Sequence, residues 1–151
     1  MTLIVCVDPR GGISFNGRRQ TRDRAIMADI LAGREINIFP GSEKYVRSVA
    51  EGIVGITEIN VLEDGALPND GIVFVERGAT EFFERCLDLA DEVIVYQWEN
   101  TYLYTQQFPD VGKRPDFIVS SVSVLQGSTH PNVTKTTYIK NNPLGRWEKG
   151  E

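Results

Sequence analysis

Four arginines stand close together in the first quarter of the chain. They are Arg18, Arg19, Arg22 and Arg24. Positive side chains near the N-terminus of a helix oppose the helix dipole, so a bound anion would offset the cost of placing them there. Guanidinium groups and free helix N–H groups both bind phosphate and carboxylate. The cluster predicts an anion site, and the alternative is a solvated basic face neutralised by Asp23, Asp29 or other acidic side chains.

Three aspartates accompany this cluster: Asp8, Asp23 and Asp29. A carboxyl group that is held in an apolar pocket can donate or relay a proton. Aspartates at such positions also serve as helix caps or as surface charges. The sequence alone therefore leaves proton transfer and a structural role as alternatives for each of them.

His130 is the only histidine, and it lies in the loop GSTHP at 127–131. A single histidine and two cysteines without Cys-x-x-Cys spacing exclude a zinc site of the usual kind. A hydrolase would need Ser128 or a cysteine within hydrogen-bond reach of His130, which adjacency in sequence does not provide. The favoured interpretation is a solvated loop histidine.

Glycines mark two places where backbone can approach a ligand. The loop from Asp8 to Gln20 contains the pair Gly11-Gly12, and such a loop after a parallel strand forms a lid or a pocket wall. Gly78, between the fourth predicted strand and the next helix, would let the backbone approach a phosphate. Both positions also fit plain surface turns.

An alternation of apolar strands and amphipathic helices must position these residues. Residues 3–7 and 72–75 are continuous apolar runs, which predicts strands buried on both faces, as in a parallel sheet. The strongest helical spacing of apolar residues runs over 79–90. Further strands are predicted at 36–39, 58–62 and 92–98, and further helices after caps at Thr21 and Ser42.

Beyond residue 110 the pattern changes to strands alone, at 117–125 and 134–139. Their short connection predicts an antiparallel hairpin added to the edge of the sheet. The expected fold class is therefore α/β with three layers: a mostly parallel central sheet, helices on both faces, and this hairpin at one edge. We expect a single domain over residues 1–139 and a loosely held polar tail over 140–151.

The composition limits the classes of partner. The 151 residues are 41% hydrophobic and 25% charged, which are the proportions of one globular domain that needs no metal or disulfide. The formal net charge of -5 removes a general attraction to nucleic-acid phosphates. No apolar run is long enough to cross a membrane. Two cysteines on apolar patterns fit a reducing, cytoplasmic compartment.

The order of the elements and several motifs resemble the dihydrofolate reductase family. Residues 2–7 followed by the motif GISFNG at 12–17 are similar to that family's first strand and active-site loop. Residues 71–110 are the stronger match, because a buried strand leads through glycine into a helix with EFF at 81–83, and a later segment ends in FPD at 108–110. The similarity covers about residues 2–139 and implies a dihydrofolate reductase-like fold. The arginine-bearing helix entry is also similar to the reductase domain of riboflavin biosynthesis.

This resemblance implies roles for particular residues. In the family, NADPH supplies a hydride to a pterin, and Asp23 lies near the position of the acidic residue that assists protonation. The residues that it assigns to the cofactor are Gly41, Ser42, Lys44, Gly78 and Ala79. The residues that it assigns to an anionic or heterocyclic substrate are Cys6, Arg18, Arg19, Arg22 and Tyr96. It implies no metal site.

Several features depart from the family's pattern. The Pro-Trp pair before the first helix is absent, and Ala25 or a neighbour occupies the position of the acid. The paired glycines before the cofactor-binding helix appear as Glu76-Arg77-Gly78, which puts a carboxylate where a pyrophosphate would lie. Tyr96 replaces the threonine that supports the pterin ring. The departures affect the chemistry and spare the core.

Two functions remain open at this stage. One is a divergent NADPH-dependent reductase of a pteridine-like or pyrimidine-like heterocycle, with the usual catalytic acid and paired glycines altered. The alternative is a non-catalytic relative that binds an anionic small molecule or a protein partner in the same cleft. Neither function predicts a nucleic-acid or membrane partner.

Overall fold

A computed structural model describes residues 1–53 and 58–141 of the chain. Its strands are β1 (Thr2–Val7), β2 (Gly12–Phe15), β3 (Arg18–Arg19), β4 (Glu35–Ile38), β5 (Glu58–Val61), β6 (Ile72–Phe74), β7 (Glu92–Trp98), β8 (Gln106–Gln107), β9 (Phe117–Leu125) and β10 (Val133–Lys140). Its helices are α1 (Arg24–Leu31), α2 (Pro40–Ala50), α3 (Thr80–Leu89) and a short 3-10 helix, Val111–Lys113.

The central sheet has seven strands in the order β5-β4-β6-β1-β7-β10-β9. The first five in this order run parallel, and β10 and β9 are antiparallel additions at one edge. This confirms the predicted α/β class, the mostly parallel sheet and the C-terminal hairpin. Because the parallel strands point the same way, their carboxyl ends form a crevice along one edge of the sheet.

Successive side chains along the strands point to opposite faces of the sheet and pack into two separate hydrophobic cores. Leu3, Val5 and Val7 of β1 face α3, whose Phe83, Cys86 and Leu87 are buried against them. Ile4 of the same strand faces the other layer, where α1 and α2 pack. The apolar runs that predicted buried strands are thus covered on both faces. That arrangement is what fixes the carboxyl ends of β1 and β6 between the helices.

Two helices begin at positions that differ from the predicted caps. α1 is capped by Asp23 rather than Thr21, because the Asp23 carboxylate accepts a hydrogen bond from the Ile26 N–H. α2 begins at Pro40 rather than after Ser42, since proline fits the first position of a helix. Ser42 therefore lies inside the first turn, and its hydroxyl donates a hydrogen bond to Glu76, which follows β6.

A second, three-stranded sheet in the order β3-β2-β8 was not predicted. Its strands have only two to four residues, too few to show an alternating pattern. It pins the loop after β1 to the segment before residue 108, through pairs such as Phe15 with Arg18 and Gly12 with Gln107. Arg18 and Arg19 thus belong to a strand and precede the helix that they were expected to begin.

The C-terminal hairpin places β10 inside the sheet and β9 on its edge. The register between them shifts at Thr137 and Tyr138, which marks a β-bulge. Most of the predicted C-terminal tail, 142–151, lies outside the described residues. No helix in 1–53 or 58–141 is long and apolar enough to cross a membrane.

Candidate functional site

The crevice holds a pocket beneath α1, at the end of β1. We call it the α1 pocket; its apolar walls are Ile13, Ile26, Met27, Ile30, Phe74 and Trp98. Cys6, Arg19 and Asp23, three of the predicted site residues, also line it. Only about 20 Å³ of free volume remains inside. That is room for about one water molecule and for no larger ligand, because the pocket's own side chains take up the rest.

A largely buried ion pair lines part of this pocket. The Arg19 guanidinium donates two hydrogen bonds of 2.8 Å to the Glu76 carboxylate. The Ser42 hydroxyl donates a third to the same carboxylate at 2.6 Å. Burial alone would lower the pKa of Arg19, but the hydrogen bonds and charge of Glu76 outweigh it and raise that pKa above its usual value. Arg19 therefore keeps its charge, and the two side chains satisfy each other's hydrogen bonds.

The other arginines of the cluster do not converge with Arg19 on a common anion. Arg22 lies over the Tyr45 ring, and Arg24 donates to the Ser48 carbonyl at 3.0 Å. Arg18 is exposed on β3. Arg19 also lies over the Tyr45 ring, so it shares that ring with Arg22. Among the described residues, the four guanidinium groups are not gathered around one anion, and Arg18, Arg22 and Arg24 form no ion pair with Asp23 or Asp29.

Asp23 caps α1 and also holds a loop from the far end of the chain. Its carboxylate accepts hydrogen bonds from the backbone N–H groups of Ser128, Thr129 and His130 at 2.8, 2.9 and 3.0 Å. Burial would raise the pKa of Asp23, but these bonds and one from the His130 ring hold it well below its ordinary value. A carboxylate held ionised in this way is a poor proton donor at neutral pH.

His130 is buried, contrary to the expectation of a solvated loop histidine. Its ring stacks on Trp98 with 4.4 Å between centroids, and its Nε2 lies 2.8 Å from the Tyr102 hydroxyl. Its Nδ1 lies 2.9 Å from Asp23. The Ser128 hydroxyl donates to Asp23, not to His130. The side-chain order that a serine hydrolase needs is therefore not formed here.

The remaining predicted substrate residues are also engaged. Tyr96 is buried, and its hydroxyl donates to Asp29 at 2.7 Å. Lys135 donates to the same carboxylate at 3.0 Å. Burial, followed by the charge of Glu76, raises the pKa of the Cys6 thiol, so this cysteine stays protonated at neutral pH. No group of three or more His, Cys, Asp and Glu side chains in the described part of the chain is placed to hold a metal ion.

An open groove lies on the other side of Glu76, between the N-termini of α2 and α3. We call it the α2–α3 groove; its volume is about 800 Å³. Four of the five predicted cofactor residues line it: Gly41, Ser42, Gly78 and Ala79. Lys44 is exposed on α2 and is not part of the lining. Neither helix has a side-chain cap, so both present bare N-termini to the groove.

Arg77 lies across the N-terminus of α2. Its guanidinium occupies the space above Gly41 that a side chain at that position would need. Its Nη2 is 3.6 Å from the Glu76 carboxylate, but its Nε is buried and has no hydrogen-bond partner among the described residues. A cation at the positive end of a helix with an unmet donor is an arrangement that an anion would complete.

A side-chain bridge separates this groove from the interior. The Gln106 side-chain oxygen accepts hydrogen bonds from the Gly78 N–H, at 3.3 Å, and from the Ser14 hydroxyl. The bridge ties the turn before α3 to the small sheet. Together with Glu76 and Arg19 it closes the path between the α2–α3 groove and the α1 pocket.

Gly78 itself is required by geometry. Its φ is +155°, and an added Cβ would lie 2.6 Å from the Phe82 ring and 3.1 Å from the Phe83 ring. We expect Gly78→Ala to lower the free energy of unfolding by about 2 kcal/mol, from strain and overpacking together. Chemical denaturation measures this. Gly33→Ala is the matched control, since Gly33 also has positive φ but open space around it, and we expect it to cost about 1 kcal/mol. Equal costs would contradict the role of the phenylalanine contacts.

Several residues of these sites had not been selected from the sequence. Arg77, Arg85 and Gln106 belong to the groove and its bridge, and Tyr45 and Trp98 belong to the α1 pocket. A glutamate followed by arginine at a strand-to-helix junction was a usable signal for Arg77. Gln106 had no such signal, because its role depends on pairing between β8 and β2.

Comparison with solved structures gives the same fold in a dihydrofolate reductase from Enterococcus faecalis, complexed with NADP(H) and RAB-propyl. The two chains are 10% identical, and the match has a TM-score of 0.64 over 93% of this chain and 96% of that one. No protein-family model and no curated protein sequence matches the chain. The predicted dihydrofolate reductase-like fold is confirmed, and at this identity the likeness concerns the fold alone.

Proposed function

We propose that this protein is a non-catalytic member of the fold that binds a phosphate-bearing nucleotide in the α2–α3 groove. The observation that carries the proposal is the contrast across Glu76: a filled pocket of about 20 Å³ on one side and an open groove of about 800 Å³ on the other. The pocket where a reductase of this fold would reduce its heterocycle has no room for one. The groove has the volume of a ligand site.

Phosphate is the group that the groove suits best. The start of α3, which has no side-chain cap, and the side chain of Arg77 line the same groove. Arg85 lines it as well. The negative charge of Glu76 is already matched by Arg19 in a bidentate pair, so it repels an incoming phosphate less than an isolated carboxylate would.

The complete NADPH cofactor, which the fold implies, does not fit in a way that supports hydride transfer. Its phosphates suit the groove, but its nicotinamide would have to reach the α1 pocket. Glu76 with Arg19, and Gln106 with Gly78, close that path. We therefore assign the groove to a nucleotide phosphate and assign no redox step to the chain.

Binding to Arg77 tests the proposal. We expect calorimetry to give a Kd below about 1 mM for ADP or NADP+, and no binding of adenosine, which lacks phosphate. Arg77→Leu should weaken binding at least about tenfold, because a hydrogen bond to a charged group contributes about 1.5–3 kcal/mol. Arg47→Ala, an exposed arginine on α2 paired with Glu43, should change nothing.

Three results would overturn the proposal. The first is unchanged affinity in Arg77→Leu, and the second is no binding of any phosphate-bearing nucleotide to the wild-type protein. The third is protein-dependent oxidation of NADPH with dihydrofolate or another pteridine, which would restore the reductase function.

A further inference from the structure

A second open groove lies on the α3 side of the sheet, opposite the side that holds the α1 pocket. We call it the α3-face groove; it runs between the N-terminal half of α3 and residues 104–113 and has a volume of about 1020 Å³. α3 begins only at Thr80, and Gln97 near the carboxyl end of β7 is exposed on this face. The segment that leads to β8 then arches over this region. Neither the fold comparison nor the proposed function gives this groove a role.

The lining of the groove is mixed, with valines of the sheet beside polar side chains that include Thr105, Gln106 and Gln107. Val7 and Val95 belong to it, and Gln97 follows Val95 on the same face of β7. Tyr138 of β10 extends the floor, and Tyr104 forms part of the wall. Flat apolar surface beside an aromatic ring is what a planar ligand packs against.

Polar groups in this groove are available for a ligand. Within 1–53 and 58–141, the side chains of Gln97, Tyr104 and Tyr138 make no hydrogen bond. In the α1 pocket, by contrast, Arg19 and Glu76 bind each other. Burial and the nearby charge of Asp110 raise the pKa of Tyr138, so its hydroxyl keeps its proton and can donate. A carboxamide offers a donor and an acceptor side by side.

The charges around the groove favour a neutral ligand. Asp8 is buried and already accepts hydrogen bonds from the Arg10 and Gly12 backbone and from Gln20. Arg10 is held over the Tyr104 ring. The other charged lining residues are Glu81, Glu84, Asp110 and Lys113, and Glu84 is paired with Arg114. The remaining charges of the lining sum to a slightly negative value, unlike those of the arginine-bearing α2–α3 groove. They therefore do not attract a phosphate.

We infer that the α3-face groove is a second binding site, for an uncharged planar nitrogen heterocycle of nucleobase size whose edge pairs with the Gln97 carboxamide. Glutamine recognises adjacent donor and acceptor groups of a base by two parallel hydrogen bonds. The ring faces lie against Val7, Val95 and Tyr104. Tyr138 supplies a further donor at the end of the site. The two grooves share only the turn from Gly78 to Glu81 as a common wall.

Protein-detected NMR on the ¹⁵N-labelled full-length chain tests this inference. The probes are adenine, cytosine and nicotinamide at pH 7, each up to about 5 mM. We expect saturable shifts for at least one of them in the Gln97 side-chain NH₂ and in the backbone amides of 104–108. Gln97→Leu should weaken that binding at least tenfold and leave the rest of the spectrum native. Gln97 is exposed, so this variant keeps the core intact.

Two further variants distinguish binding at this site from binding at the phosphate site. Tyr138→Phe, which keeps the ring, should weaken the heterocycle several-fold. Arg77→Leu should leave heterocycle binding unchanged while it weakens ADP. The inference is wrong if no probe gives saturable shifts, if the shifts lie in the α2–α3 groove, or if Gln97→Leu binds as tightly as the wild type. Failure here leaves the nucleotide proposal standing, and the reverse also holds.

Discussion

Asp23→Ala is expected to lower the free energy of unfolding by about 4 kcal/mol, which places it among the most damaging single substitutions. The change removes the cap of α1, which contributes about 1 kcal/mol. It also leaves the backbone N–H groups of Ser128, Thr129 and His130 without their acceptor. Buried donors without partners cost about 1–3 kcal/mol each, and relaxation of the loop recovers part of that.

Urea denaturation with two control variants makes this measurement specific. Asp23→Asn keeps one side-chain oxygen as an acceptor and should cost roughly half as much. Asp29→Ala, on the same helix, removes hydrogen bonds to Tyr96 and Lys135 at a half-buried site and should cost about 1 kcal/mol. A loss of less than about 1 kcal/mol in Asp23→Ala would contradict the central role of this carboxylate.

The same residue predicts a pH dependence with a definite sign. The pKa of Asp23 is lower in the folded chain than its ordinary value of about 3.9. A group of this kind stabilises the fold fully above its unfolded pKa, and the contribution is lost as the pH falls toward its folded pKa. We therefore expect wild-type stability to fall below about pH 4 and Asp23→Asn to lose less over the same range. Parallel curves for the two proteins would contradict this assignment.

The elements that could be predicted from the sequence are those whose signal is local. β1 from Leu3 onward and all of β6 are apolar because helices cover both of their faces. α3 shows its buried face in Phe83, Cys86 and Leu87 at helical spacing. The antiparallel hairpin followed from two strand-like runs with a short connection. In each case the residues that define a single strand or helix are close neighbours in the sequence.

The parts of the site that could not be predicted depend on partners that are distant in sequence. Arg19 binds Glu76 from 57 residues away, so a cluster of arginines gave no sign that its members would separate. His130 is buried because it meets Trp98 and, 107 residues away, Asp23. The loop around His130 is rich in small polar residues, and nothing in its local sequence shows whether the histidine is buried or exposed. Glu76 was treated as an obstacle to phosphate, and only its arginine partner shows why it is tolerated.

The ion pair between Arg19 and Glu76 gives the second large prediction. Arg19→Ala should lower the free energy of unfolding by about 3 kcal/mol, because it leaves a buried carboxylate with Ser42 as its remaining hydrogen-bond donor. Glu76→Ala should cost a similar amount. Replacing both with methionine, which fills the same space without charge, should cost less than either single change. The attraction within a buried ion pair only slightly exceeds the free-energy cost of removing its two charges from water.

Comparison with a surface pair decides whether burial is the cause. Arg47 and Glu43 on α2 make a single contact, also at 2.8 Å, and their side chains are 51% and 41% exposed, against 17% and 9% for Arg19 and Glu76. Arg47→Ala should therefore cost at most about 0.5 kcal/mol. A double-mutant cycle on the buried pair should give a coupling of about 2 kcal/mol that persists at high salt. If both pairs give the same small coupling, Glu76 does not close the α1 pocket by a fixed ion pair, and the contrast between pocket and groove loses its physical basis.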